Sequence, residues 1–248
     1  MAGNAYQFPS DLLDSPEYGH MMQFTAYTPQ FVIAGQGVGN RQILDTFLLY
    51  VPGGGENNLE WSQQHEYEEV KMSRLGTGAV SGIMQATLGH GLPSKGAGVA
   101  GGIFRTTINP YVEVLYRGTD LRAFQFSFLF SPQSREDSQI LYGNGNGTGL
   151  LNRFRYYAAP EISGPADLLF SSPSEWEIDF FYKTPSGGWA VNNKLPKIAK
   201  GILQRVDVDY NPDSEFSTFE SGDPTSSRLT MRFIEMEIID KRRIGEGF

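Results

Sequence analysis

Apolar and polar positions alternate with a period of two along several stretches of this 248-residue chain. The clearest is 124–130, where Phe124, Phe126, Phe128 and Phe130 are separated by Gln125, Ser127 and Leu129. In an extended strand this puts four rings on one face of the pleat. Each buried Phe is worth roughly 1.5–3 kcal/mol, so these rings predict a core or an inter-subunit contact. Trp176, Ile178, Phe180 and Tyr182 alternate in the same way with Glu177, Asp179, Phe181 and Lys183. So do Ile202, Val206, Val208 and Tyr210 with Leu203, Arg205, Asp207 and Asp209. Runs at 24–34 and 43–51 also read as strands, separated by the turn-like Gly35 to Asn40. In a last strand, Leu229 to Ile239, the apolar face passes from Leu229, Met231 and Phe233 to Ile234, Met236 and Ile238. Such a change of face predicts a bulge or a strand covered on both sides.

Two segments read as helical. Trp61 to Leu75 is dense in Gln, Glu, Lys and Arg with widely spaced apolar residues. Ser134 stands three residues before Asp137, close to a capping box, and predicts a short helix after it. Residues 1–23 read as an arm, and 76–102, with nine glycines, as a Gly/Ala-rich insertion. With no fixed-period repeat and no dividing linker, the expectation is one mainly β domain over 1–248 with one or two helices.

Composition narrows the classes. Gly numbers 29, aromatic residues make 13 % and charged residues 19 %, below the usual ~25 %, so extensive disorder is excluded. Twenty basic against 28 acidic side chains give −8, which disfavours gripping a phosphate backbone. Without cysteine there is no disulfide, zinc-thiolate site or thiol nucleophile. The first basic residue is Arg41, so no positively charged secretory n-region is expected. The uncharged stretch Gly76 to Ser94 is broken by Gly, Gln, His and Pro, too polar for a membrane span. A water-soluble protein is expected.

Candidate chemistry is sparse. Gly96 to Gly101 fits G-x-G-x-x-G, but Leu92-Pro93-Ser94-Lys95 before it is no strand and no βαβ unit follows. Asp209, Asn211, Asp213 and Glu220 occupy positions 1, 3, 5 and 12 of a calcium loop. Ser214 stands where the turn glycine belongs, Pro212 stiffens the loop, and a strand precedes it. Glu177 with Asp179, and Asp207 with Asp209, are same-face pairs about 6.5–7 Å apart along a strand. Glycosidases use carboxylates at comparable separation, whereas a solvated sheet face is the plainer reading. The histidines are scattered at 20, 65 and 90, and no zincin or nucleophile-elbow motif occurs. No catalytic residue and no cofactor is expected.

Several stretches, in order along the chain, resemble the baseplate tail-tube junction (tail tube initiator) proteins of contractile-tailed bacteriophages. They begin with Phe8-Pro9-Ser10-Asp11-Leu12 and His20-Met21-Met22-Gln23-Phe24. The most telling runs from Asn109 and Pro110 through Arg117 and Gly118 to Leu121, Arg122, Phe124, Phe126 and Phe128. Pro173 to Ile178, Leu195 to Ile198, Val206 to Tyr210, Thr218-Phe219 and the strand from Leu229 complete the set.

The resemblance implies a tail-tube fold: a β-sandwich with a flanking helix, its strands pairing across subunits into a ring with a β-barrel lumen. The implied partners are five further copies in a homohexamer, the baseplate hub protein, and tail tube subunits or a second junction ring. DNA would pass through the lumen without sequence-specific binding. The implied location is the virion tail, assembled in host cytoplasm, with no membrane partner and no enzyme activity. An acidic bore lets DNA slide, so Glu177, Asp179, Asp207 and Asp209 are candidate lumen-facing acids. Which of two stacked junction rings the chain forms stays open. Alternatives are the major tail tube subunit and, from another class, an acidic-site glycan hydrolase.

Overall fold

The computed structural model describes residues 3–29, 41–52, 62–72, 111–145, 147–163, 169–212 and 215–248. The insertion 76–102, the Gly96 to Gly101 motif and the Gly35 to Asn40 turn lie outside the described residues. The chain divides into two compact units, residues 1–63 with 121–248, and residues 64–120.

The larger unit is mainly β. Its strands β1 (Asn4–Phe8), β2 (His20–Tyr27), β3 (Ile43–Tyr50), β6 (Ala123–Phe130), β9 (Glu175–Lys183), β10 (Trp189–Val191), β11 (Gly201–Asp209) and β12 (Ser227–Glu235) form one sheet. The order is β1-β3-β2-β9-β11-β12-β6, with β10 on the free side of β9. All pairings are antiparallel except β1 on β3. The described strands do not close into a barrel. A separate short hairpin joins β7 (Glu161–Ser163) to β8 (Leu169–Ser171).

The sheet bends where β9 meets β11, which share only the pairs Gly201↔Trp176 and Ile202↔Glu175. Gly201 is required there, because a Cβ would lie 2.8 Å from the Ile234 carbonyl oxygen. Beyond the bend the two arms of the sheet face each other. Phe24 of β2 meets Phe126 and Phe128 of β6 and Phe233 of β12, with ring centroids 5.7–6.0 Å apart. The four alternating rings of 124–130 are thus all buried in the core of their own chain. Trp176, Ile178 and Phe180 also point inward, as their spacing predicts.

Helix α1 (Arg135–Tyr142) starts where expected, the Ser134 hydroxyl accepting the Asp137 amide at 3.0 Å. Helix α2 (Leu150–Ala158) buries Leu150, Leu151, Phe154 and Tyr157, and Phe154 stacks on Trp176 at 5.3 Å. A five-residue helix, α3 (Lys241–Gly245), follows the last strand.

Three local expectations differ from the structure. The stretch expected to be helical within 61–75 contains instead β4 (His65–Met72), paired with β5 (Tyr111–Thr119) in the smaller unit. Part of the arm is β1, and Phe8 and Leu12 are core residues. The last strand ends at Glu235, leaving Met236 and Ile238 exposed; the irregularity lies in β11, between Leu203 and Arg205. That bulge lets Leu203 and Val206 both pack on the core side.

Asp137 ties the arm to α1. Its carboxylate accepts the Ser10 amide at 2.8 Å and the Gln133 amide at 3.2 Å. Burial pushes this carboxyl up, but the amide donors of Ser10 and Gln133 and the Ser134 hydroxyl outweigh burial and hold it below its ordinary range. A depressed folded pKa gives stability that is present above the unfolded value near ~3.9 and lost as pH falls through the folded value. The stability advantage of wild type over Asp137→Asn is therefore expected to be full at pH 7 and to shrink below about pH 4. Urea midpoints of both proteins at pH 7 and pH 3 check it.

Candidate functional site

Strand alternation places Glu175, Glu177 and Asp179 on the outer face of β9, opposite Tyr27, Thr25 and Gln23 of β2. Arg41 neutralises part of this row. Its Nε lies 3.3 Å from Glu175 Oε2, its Nη1 pairs with Glu177, and its guanidinium stacks 3.5 Å over the Tyr27 ring. The Tyr27 hydroxyl donates to Glu177 Oε2 at 2.8 Å. Burial, then the bond to Glu177, push the Tyr27 hydroxyl up to about 12. Burial also pushes Glu177 up, but Tyr27 and Arg41 prevail and hold it below the usual carboxylate range. Desolvation, then the Glu177 charge, push Asp179 the other way. Glu175, Glu177 and Asp179 wall a groove of about 600 Å³ whose other side carries Lys197, Lys200, Arg243 and Phe248.

The second acid pair sits on the outer face of the opposite arm. Register across β11, β12 and β6 gives three rows: Arg205–Arg232–Gln125, Asp207–Thr230–Ser127 and Asp209–Arg228–Leu129. Asp207 pairs with Arg205 at 2.6 Å, and Asp209 accepts the Asn211 amide at 2.8 Å. Three arginines against two aspartates make this face balanced, not acidic. The two pairs therefore do not meet in one site, because the inner faces of their arms oppose each other across the core.

In the calcium-loop candidate, Asp213 lies outside the described residues. Asp209 ends a strand and Glu220 lies in a turn before β12, so the flanking helices of a helix–loop–helix site are absent. Among the described residues no cluster of three or more acidic or histidine side chains is placed to hold a metal. No helix among them is long and apolar enough to cross a membrane.

Of the residues that carry the resemblance, Asn109 and Pro110 lie outside the described residues. Arg117 and Gly118 fall in β5, with Arg117 paired to Glu68 at 2.9 Å. Leu121 is exposed, and Phe124, Phe126 and Phe128 line the core. Arg122 is buried in a clamp that sequence spacing does not reveal. Its Nε and Nη2 donate to the two Glu235 carboxylate oxygens at 2.6 and 2.7 Å, and Nη2 also reaches the Lys197 carbonyl at 3.2 Å. The Ala199 amide donates to Glu235 Oε1 at 2.7 Å.

The described part of the smaller unit is a two-stranded ribbon. β4 and β5 pair over eight register positions with a bulge between Glu66 and Tyr67, and no third strand joins them among the described residues. Its described side chains include exposed Glu66, Glu68, Tyr67 and Tyr116, the two tyrosine rings packing edge to face at 5.8 Å. Glu66 and Glu68 thus lie on a strand and not on the expected helix. Compared with known proteins, the chain matches no protein-family model and no curated protein sequence.

Proposed function

We propose that this chain is a structural protein of a phage tail. It forms a ring that joins the baseplate hub to the tail tube, nucleates the tube and lets DNA through its bore. The observation that carries the reading is the β4–β5 ribbon. No third strand joins it among the described residues, and a two-stranded ribbon, marginally stable by itself in water, is a template for strand addition at its edges. Further copies of the chain supply those strands, and a closed cycle of such head-to-tail contacts is a ring. Six copies, a tail-tube fold and a virion location come from the sequence resemblance. Both acid pairs, Glu177/Asp179 and Asp207/Asp209, stay candidates for the bore, each with cations beside it: Arg41, Lys197 and Lys200 near the first, three arginines on the face of the second. Acidic walls repel phosphate and keep DNA sliding.

The test is solution mass with negative-stain imaging across a concentration series, with and without the hub protein. Closed six-membered rings are the expected result. Open-ended tubes from the chain alone convert the assignment to the major tail tube subunit. A monomer at every concentration, even with the hub, overturns it. The opposite displacement of Glu177 and Asp179 beside a groove favours a second reading, an acidic-site glycan hydrolase. Sugar release from a polysaccharide that vanishes in Asp179→Asn would establish that reading instead.

A further inference from the structure

The Gly-rich turn between α1 and α2 carries chemistry that no part of the tail reading uses. We propose that Asn144 is a site of spontaneous deamidation, its side-chain amide converting to an acid through a succinimide formed with Gly145. The Gly145 backbone nitrogen attacks Asn144 Cγ, an N–Cγ bond forms, the Cγ–Nδ2 bond breaks, and the amide nitrogen leaves as ammonia. Water then adds to either ring carbonyl and opens the succinimide to aspartate or isoaspartate. Nothing is oxidised or reduced, and water is the one co-reactant.

The reaction needs an accessible amide, a following nitrogen free to lose its proton, and no Cβ in the line of approach. Asn144 is exposed, and its side chain has no hydrogen-bond partner among the described residues. The Gly145 N–H likewise donates to no described residue. Gly145 takes φ +85° with no heavy atom within 4 Å of the position a Cβ would fill. Its surroundings are tight by contrast. The Gly143 N–H is bonded to the Gln139 carbonyl at 2.8 Å, and a Cβ at Gly149 would collide with the Leu141 carbonyl. The other described asparagines lack one requirement or another. Asn4 lies in β1, Asn152 in α2, Asn211 precedes a proline with no N–H, and Asn192 and Asn193 precede bulkier residues. The product adds a negative charge to a cleft already lined by Glu220 and Asp223. Isoaspartate also lengthens the backbone of a turn held by the Thr148 hydroxyl on the Gly145 carbonyl at 3.1 Å.

The test incubates the folded full chain at pH 8.5 and 37 °C, with isoelectric focusing and peptide mapping by tandem mass spectrometry. An acidic species accumulating with time, mapped to Asn144 as aspartate and isoaspartate, is the expected result. It is lost in Asn144→Gln, whose circular dichroism matches wild type. A chain unfolded in urea is the chemical control, since there Asn144-Gly145 and Asn146-Gly147 react alike. The proposal is overturned if the folded chain converts at Asn146 and not Asn144, if the acidic species persists in Asn144→Gln, or if only the unfolded chain converts.

Discussion

Glu235→Ala is expected to destabilise the protein by about 3–5 kcal/mol, the cost of leaving a buried charge without its partner. Glu235 is 1 % and Arg122 7 % exposed, so water does not replace the lost carboxylate. Truncation frees two guanidinium hydrogen bonds and the Ala199 amide at once. Against a typical total of ~5–15 kcal/mol this is a large fraction, read directly from the urea unfolding midpoint. The double variant Arg122→Met, Glu235→Leu removes both charges and keeps apolar volume, so most of the loss should return. A midpoint for Glu235→Ala within about 1 kcal/mol of wild type would mean that the clamp is hydrated. The clamp sits at the end of the β6–β12 ladder, where the Glu235 amide donates to the Arg122 carbonyl at 3.0 Å, and ties that end to the segment 197–199 before β11.

Phe24→Ala should cost a similar amount, about 3–5 kcal/mol, for a different reason. The Phe24 ring touches Phe126, Phe128, Phe233 and Phe154, so it bridges the two facing arms of the sheet and α2. Deleting it leaves a cavity between elements that the rest of the sheet holds apart. The transfer loss and the cavity loss then add. Phe24→Leu retains part of the volume and should lose visibly less. Equal midpoints for the alanine and leucine variants would show that the neighbours collapse into the space. Near-ultraviolet circular dichroism reports whether the aromatic cluster keeps its packing.

Much of the β architecture was legible along the chain. The faces of 124–130 and 176–180 follow from period-two spacing, and the α1 start follows from a Ser–Asp cap, because both are set by residues within a few positions of one another. Helix α2 is also written locally, in Leu150, Leu151, Phe154 and Tyr157 at helical spacing. β4 is not. His65 to Met72 is charged and holds apolar residues three apart, which mimics a helix, and its strand state depends on β5 some forty residues on. β1 is five residues long and gains its state from β3, pairing Asn4 with Asp45.

The acid pairs show the same division. That Glu177 and Asp179 share a face is a property of any extended backbone, and the sequence by itself determined it. That Arg41 neutralises Glu177 across 136 positions, and that Arg228 and Arg232 flank the other pair, only the tertiary structure decided. The Arg122–Glu235 clamp, 113 positions apart, belongs with them. Side-chain alternation is local geometry, fixed by neighbouring dihedral angles. Charge balance and strand partnership depend on distances in space, which the chain sets only once the sheet has bent and its arms have closed on the core.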